Sequence, residues 1–269
     1  MRIPKLSRDP SGDFSEIMKY LGIRQIPAQT IHWLQTGRNF VYPPRCSLCG
    51  IAAVCSGNNC GLQIQQIAPE IEQACERCGA PVGPHLDTSL GCSYCKNERF
   101  LFQRAVALGK YQGPLRQLVL HLKQNHGAHL GGGLGTLLFY RNQETFEKLA
   151  PNLIIPVPLY WTSRLHRTHN PASIIAEALS HRLQAKYHGN ILAKRKRTPT
   201  QTSLTPSNRR KNLRDAFEVR RRKQVVGQKI LLVDDVMTTG STANAATRVL
   251  LETGACEVNV AVVARAPGL

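Results

Sequence analysis

The feature that most constrains the fold is the stretch of residues 230–242, in which an apolar run is followed by two acids and a hydroxyl-rich turn. Residues 230–233 are consecutively apolar, and the lack of polar alternation predicts a strand that is buried on both faces. Such strands are typical of parallel sheets that helices cover on both sides. The stretch therefore predicts an α/β fold with a parallel sheet, in which Asp234 and Asp235 end the strand.

The turn that follows the acids has the composition of a phosphate-binding turn. Its residues are Thr238, Thr239, Gly240, Ser241 and Thr242. A helix-like pattern continues over residues 243–251, so backbone N–H groups, hydroxyls and the positive end of a helix would converge at one point. No Lys follows the glycine, which excludes the commonest phosphate loop. Carboxylates beside this turn favour a sugar phosphate, because Asp accepts hydrogen bonds from ribose hydroxyls while the turn holds the 5'-phosphate.

Cysteine spacing predicts bound zinc. The chain has nine cysteines and no apolar leader typical of secretion, which favours metal ligation over disulfides. Eight of them form pairs or near-pairs: Cys46, Cys49, Cys55, Cys60, Cys75, Cys78, Cys92 and Cys95. They can fill two tetrahedral sites either in consecutive sets or crossed, and each four-cysteine site would be structural because it leaves no open coordination position. The remaining cysteine, Cys256, lies in an apolar run that predicts a buried, inert thiol.

Charge and hydropathy limit the classes of protein to which the chain can belong. Hydrophobic residues make up 42% of the 269, which suffices for a core, yet no run is long enough to span a membrane. We therefore expect a cytoplasmic protein without membrane insertion. The net charge is +18, and residues 186–229 contain fourteen Lys and Arg against two acids. This concentration favours polyanionic partners such as nucleic acid or a pyrophosphorylated substrate, although a solvated basic loop has the same composition.

Other elements complete an alternating pattern. Strands are predicted at residues 104–111, 153–159 and 258–263, and helices at residues 113–123, 134–149 and 171–186. The glycine run at residues 131–133 has no explanation at this level. Arg164 and Arg167 follow the second of these strands, where a basic loop at the same sheet edge would suit pyrophosphate. The polar residues 198–208 are a candidate lid.

These features together resemble a known family. Residues 230–242 resemble the phosphoribosyl-pyrophosphate (PRPP) signature of type I phosphoribosyltransferases. Combined with the paired cysteines, they resemble the ComF family, phosphoribosyltransferase-like proteins of natural competence that include the GntX type. Further marks of the resemblance are Lys123, the run at residues 157–159, and Ala216 with Phe217 before the acids. The chain departs from the family at residues 167–171, where Arg-Thr-His-Asn-Pro replaces Arg-Gly-Phe-Asn-Gln.

The resemblance implies an architecture and a site. It implies a type I phosphoribosyltransferase-like parallel sheet flanked by helices (residues 99–269), preceded by a double zinc ribbon (41–98) and an N-terminal extension (1–40). PRPP with Mg²⁺ would be bound by Lys123, Val233, Asp234, Asp235, Thr238, Thr239, Gly240, Ser241 and Thr242. Single-stranded DNA and proteins of the competence machinery are the implied partners. The alternative is an active Mg²⁺-dependent phosphoribosyltransferase of nucleotide metabolism, in which Asp234, Asp235, Arg164 and Arg167 carry catalysis.

Overall fold

The computed structural model of the protein describes residues 71, 73–125, 127–159, 168–195 and 216–266. The strands in these ranges are β1 (Gln73–Ala74), β2 (Pro81–Val82), β3 (Ala105–Lys110), β4 (Leu153–Pro156), β5 (Lys186–Tyr187), β6 (Leu192–Lys194), β7 (Phe217–Val219), β8 (Lys229–Met237) and β9 (Glu257–Arg265). The helices are α1 (Gly113–Leu122), α2 (Ala128–Arg141), α3 (Gln143–Leu149), α4 (Pro171–Leu183) and α5 (Ser241–Glu252), with a 3-10 turn at Arg222–Gln224. The predicted N-terminal extension lies outside the described residues.

The predicted parallel sheet is confirmed. Five strands pair in the order β3-β9-β8-β4-β5, and every pairing among them is parallel. Along β8, Ile230 and Leu232 join the core on the side of α5, whereas Leu231 and Val233 join the core formed with α1, α2 and α4. Alternate side chains of a strand point to opposite faces, so a continuous apolar run is needed here to fill both cores.

The prediction that the two acids end the strand was wrong. β8 continues through Asp234 and Asp235 to Met237, because its neighbour β9 is equally long and pairs with it up to Met237. On the other side, β4 pairs with β8 only as far as Val233. Within the described residues, β8 therefore pairs from Asp234 onward with β9 alone, which makes the carboxyl end of β4 a candidate crevice.

The strand order places this crevice at a topological switch point. After β4 the chain passes through α4 on one face to the edge strand β5, and after β8 it passes through α5 on the other face to β9. The two connections leave β4 and β8 in opposite directions. In open α/β sheets, ligands bind in the crevice outside the carboxyl ends of strands at such a point.

Helix packing explains one glycine of the run at residues 131–133, Gly131, and also the nearby Gly135. The run lies inside α2, which contacts α4 closely. A Cβ atom on Gly131 would lie 2.7 Å from Cγ2 of Ile174, and one on Gly135 would lie 2.8 Å from Cβ of Ala178, whereas at Gly132 there is open space. Small residues therefore allow the two backbones to approach. The predicted helix over residues 134–149 is in fact divided at Asn142 into α2 and α3.

Cys256, which the sequence predicts to be buried, is exposed. The reason is that it precedes β9, whose burial begins at Val258, and its neighbour Ala255 takes the buried position instead.

Among the described residues, no helix is both long and apolar enough to cross a membrane.

Candidate functional site

Cys75, Cys78, Cys92 and Cys95 converge on one buried point. Their sulfurs all lie within 4.8 Å of one another, with separations of 3.7 Å for Cys75–Cys95, 3.6 Å for Cys78–Cys92 and 3.8 Å for Cys92–Cys95. Four sulfurs placed about 2.3 Å from a tetrahedral Zn²⁺ are separated by about 3.8 Å. The donor set therefore fits zinc, and these four cysteines form one consecutive set. The other predicted ligands, Cys46, Cys49, Cys55 and Cys60, lie outside the described residues.

Two glycines shape this metal centre. Gly79 follows Cys78 with φ of +65°, and a Cβ there would lie 2.8 Å from the carbonyl oxygen of Ala105. Gly91 precedes Cys92 with φ of +97°, and a Cβ there would lie 2.9 Å from the sulfur of Cys95. Both positions need the left-handed backbone and the small volume of glycine.

The surroundings of the clustered cysteines shift the pKa values of their thiols. Burial raises the pKa of Cys78, and it raises that of Cys95 to about 11. Burial acts in the same direction on Cys75, but hydrogen bonds from the backbone N–H groups of Cys78 and Arg77, together with those from Cys92, outweigh it and lower the pKa of Cys75 to about 7. Metal ligation requires thiolates, so a bound Zn²⁺ would supply the charge that keeps Cys78 and Cys95 ionised.

Asp234 and Asp235 lie at the crevice beside β4. Each is partly exposed, and the side chain of Asp235 is 15% exposed. The Oδ1 atom of Asp234 accepts a hydrogen bond of 2.8 Å from the backbone N–H of Asp235. Lys123, the residue after α1, places its Nζ 3.3 Å from Oδ2 of Asp235. The structure thus brings together three of the residues that the sequence analysis assigned to substrate binding.

Burial and the neighbouring charges shift the pKa of Asp234. Burial raises the pKa of Asp234 to about 7, and the charge of Asp235 adds to this increase. The N–H of Asp235 and the ammonium groups of Lys123 and Lys194 act in the opposite direction. Burial lowers the pKa of Lys194, the last residue of β6, while the charge of Asp234 raises it. The carboxylates are therefore flanked by two lysines, and the pKa of Asp234 is held well above that of an ordinary aspartate.

The turn after β8 leads directly into α5. Gly240 adopts φ of +77°, and α5 begins at Ser241. The hydroxyl of Thr239 lies 2.8 Å from that of Ser241 and accepts a hydrogen bond of 3.3 Å from the Ser241 N–H. An anion at this helix end would compete with the Thr239 hydroxyl for that N–H group.

The remaining predicted site residues divide into two groups. Val233 is fully buried, and its carbonyl accepts a hydrogen bond from the N–H of Val157, so its side chain serves the core. Arg164 and Arg167 lie outside the described residues. The substrate-binding and catalytic roles assigned from the sequence stay predictions.

Hydrogen bonds anchor His169 and Asn170, two described residues of the segment that departs from the family motif. Nε2 of His169 lies 2.7 Å from the carbonyl oxygen of Leu122 at the end of α1. The Asn170 side chain donates to the Val157 carbonyl at 3.0 Å and accepts from the Ala172 N–H at 3.2 Å, which caps α4. Pro171 occupies the first turn of α4, where its missing N–H costs no helical hydrogen bond. His169 and Asn170 thus join α1, α4 and the end of β4.

Sequence reasoning missed two residues near this site. The sequence shows Lys194 only as part of a basic run, because the approach of β6 to the acid pair has no local signal. Arg265 lies beyond the last predicted strand, which ends at residue 263. A charged residue at the end of a long apolar run would have been a usable signal for Arg265.

Comparisons with known proteins agree with this architecture. The phosphoribosyl transferase domain family matches residues 170–268. Competence protein F of Haemophilus influenzae is 31% identical over 217 residues, which cover 79% of this chain and 90% of that protein. DNA utilization protein YhgH of Escherichia coli O157:H7 is 30% identical over 214 residues, which cover 78% of this chain and 88% of that protein.

A solved structure, that of the allosteric regulatory enzyme of purine biosynthesis, is 22% identical, with a TM-score of 0.33 over 49% of this chain and 25% of that one. The assignment depends on the two relatives and on the matched domain. Most of the length of each relative is matched, and the domain match covers α4, β8, α5 and β9. The chain therefore belongs to the ComF family, the family of Competence protein F and DNA utilization protein YhgH, and it contains a phosphoribosyltransferase-like domain.

Proposed function

We propose that the crevice at the end of β8 binds PRPP or a related 5-phosphorylated ribose. The observation that carries the proposal is the position of Asp234 and Asp235 at the switch point, near the end of β8 and before a hydroxyl-rich turn and the start of α5. The carboxylates would accept hydrogen bonds from the two ribose hydroxyls. Residues 238–242 would hold the 5'-phosphate through their N–H groups and hydroxyls.

Mg²⁺ fits the donor set of this crevice, because Asp234 and Asp235 offer the carboxylate oxygens that hard cations prefer. Bound mainly to the oxygens of PRPP, Mg²⁺ would neutralise the charge of the pyrophosphate group.

Lys123 has a separate role in this proposal. When the ligand enters, the Lys123 ammonium would leave its ion pair with Asp235 and bind the pyrophosphate group instead. The Asp235 carboxylate would then be free to accept hydrogen bonds from the ribose hydroxyls.

The first prediction concerns Asp235. Calorimetric titration with PRPP and Mg²⁺ should give saturable binding, and Asp235→Asn should weaken it roughly 10- to 100-fold, since a hydrogen bond to a charged group contributes about 1.5–3 kcal/mol. Asp87→Asn is the matched control, because Asp87 is an exposed acid beside the metal centre. The zinc content of both variants should equal that of the parent protein. Equal PRPP affinity in the parent and in Asp235→Asn would contradict the proposal.

We further propose that the protein acts in competence and DNA utilisation, as the names of its relatives state for them, and that it binds single-stranded DNA. The supporting feature is a run of exposed cations, Arg220, Arg221, Arg222 and Lys223. Glu218 forms ion pairs with Arg220 and Arg195, and among the described residues the other three cations of the run have no acidic partner. These cations precede the start of β8, whereas Asp234 and Asp235 lie near the carboxyl end of the same strand.

The second prediction tests this basic run. Replacing Arg221, Arg222 and Lys223 together by Ala should weaken oligonucleotide binding and should reduce the slope of log K against log salt by roughly 2, if each contacts a phosphate. Fluorescence anisotropy across a salt series measures both quantities. The control removes three scattered exposed cations, by Lys96→Ala, Lys148→Ala and Lys186→Ala, and should change the slope much less. Identical slopes for the two triple variants would argue against a DNA surface here, whereas PRPP affinity should be unchanged in both.

Turnover is the second candidate function. In this proposal Lys123, which lies beside the acids, would stabilise charge that develops on a departing pyrophosphate, and Arg164 and Arg167 are the further candidates for this task. Displacement of pyrophosphate at the anomeric carbon would make the protein an active phosphoribosyltransferase. A screen of nucleobases with PRPP and Mg²⁺ tests this, because release of pyrophosphate is required of an enzyme and is absent in a binding protein.

A further inference from the structure

Arg265 is an unusual residue to find enclosed. It is the last residue of β9, it is 2% exposed, and it is among the largest fully buried side chains of the described residues. A buried guanidinium is costly unless its donors have acceptors and its charge is balanced. No carboxylate within the described ranges forms an ion pair with it. Some other feature must therefore stabilise the charge.

The partners of Arg265 belong to two different sites. Its Nε donates a hydrogen bond of 2.9 Å to the carbonyl of Cys78, one of the four clustered cysteines. Its Nη1 donates to the carbonyl of Met237 at 3.0 Å and also to the carbonyl of Thr238. Met237 ends β8 and Thr238 begins the turn, so one rigid side chain joins the metal centre to the turn.

These contacts fix the direction of N–H groups in the turn. In a planar trans peptide unit the carbonyl and the N–H point in opposite directions. With the Thr238 carbonyl held on Arg265, the N–H of Thr239 points away from Arg265. The Met237 carbonyl, which also accepts from the N–H of Ala266, orients the Thr238 N–H in the same manner. Arg265 therefore presets the donors with which the turn would meet an anion.

The metal centre offers the missing countercharge. Zn²⁺ bound to four thiolates carries a net charge of −2, and the guanidinium lies against the carbonyl of one ligand residue, Cys78. Outer hydrogen bonds and charges of this kind orient metal ligands and stabilise the centre. Without the metal ion, ligation no longer fixes the position of Cys78, and the contact between its carbonyl and the buried guanidinium is no longer held in place.

We infer that Arg265 is a positioning residue through which the metal-loaded cysteine centre holds the turn of residues 238–242 in its anion-binding form. The ligand of the turn rests on the proposed function, but the coupling itself is a property of the ligand-free protein. Loss of the metal would loosen the turn without unfolding the sheet, because the cores on both faces of the sheet have their own buried residues, and the cysteine cluster shares with the core on the α5 side the partly buried Phe100.

Amide hydrogen exchange of the full chain without ligand tests this inference. Treating the parent protein with a strong zinc chelator should speed exchange at residues 238–242 about tenfold or more, as expected when a charge-assisted contact is lost, while β8 and β9 stay protected. In Arg265→Met the exchange of the turn should already be fast with zinc bound, and chelation should add less than about twofold. Arg265→Lys, which keeps the charge but reaches fewer carbonyls, should lie between the two.

A control separates Arg265 from a second contact between these regions. The Asn244 side chain accepts from the N–H of Leu101 at 2.6 Å and donates to the Arg99 carbonyl at 3.2 Å, linking α5 to the segment after the cysteines. In Asn244→Ala, chelation should still speed exchange of the turn as much as in the parent.

Two results would overturn the inference. One is an unchanged turn in the chelated parent protein, a measurement that needs no substitution. The other is an equal response to chelation in Arg265→Met and in the parent. PRPP titration remains a separate readout: absent PRPP binding with the exchange pattern intact would reject the proposed ligand and leave the coupling standing.

Discussion

Cys78→Ser is expected to remove one equivalent of zinc and to unfold the segment around the four cysteines, while the five-stranded sheet stays folded. Apart from the sulfurs, the core of this segment contains one fully buried apolar residue, Ala80, with Val82 and Phe100 packed against it. Such a core cannot hold a fold by itself. Binding of structural zinc contributes about 10–16 kcal/mol in small zinc domains, so the loss of one ligand should be decisive.

Zinc analysis and hydrogen exchange measure the two parts of this expectation. Cys256→Ser is the matched control, because Cys256 is exposed and distant in sequence from the cluster. It should retain the zinc and the exchange protection of the parent protein. Equal zinc content in the two serine variants, or protection of residues 75–95 in Cys78→Ser, would show that the cysteines do not form a structural metal site.

Asp234→Asn should stabilise the ligand-free protein at pH 8. Burial first, and then the charge of Asp235, raise the pKa of Asp234 from 3.8 to about 7, so the folded state binds this proton more tightly than the unfolded state. The contribution to stability is therefore complete below pH 4 and is lost as the pH rises toward 7. Above pH 7 the folded protein retains an ionised, partly buried carboxylate at a cost of about 1–4 kcal/mol. Asparagine removes this charge and keeps the oxygen that accepts from the Asp235 N–H.

Urea unfolding at pH 5 and pH 8 provides the measurement. The gain in the free energy of unfolding should be larger at pH 8, and stability should fall less between the two pH values in Asp234→Asn than in the parent. The same substitution should weaken PRPP binding under the proposed function, a conflict between stability and activity that is common at functional sites. An identical pH dependence in parent and variant would mean that Asp234 has an ordinary pKa.

The sequence alone determined the features that are encoded in neighbouring residues. The uninterrupted apolar run before Asp234 predicted the central parallel strand, because only a strand covered on both faces needs that pattern. The spacing of Cys75, Cys78, Cys92 and Cys95 predicted a metal centre, because two thiolates separated by two residues can reach one ion. The start of α1 was equally predictable from Pro114 at its first turn.

Tertiary structure alone decided which of these features meet. The length of β8 depends on β9, Gly131 and Gly135 are required by the close approach of α4, and the pairing of Lys123 with Asp235 depends on how α1 packs on the sheet. The bridge from Arg265 to Cys78 and Thr238 joins three segments that are far apart in the chain. Local periodicity carries no record of such contacts, because they arise when separate elements share one core and each fixes the position of the others.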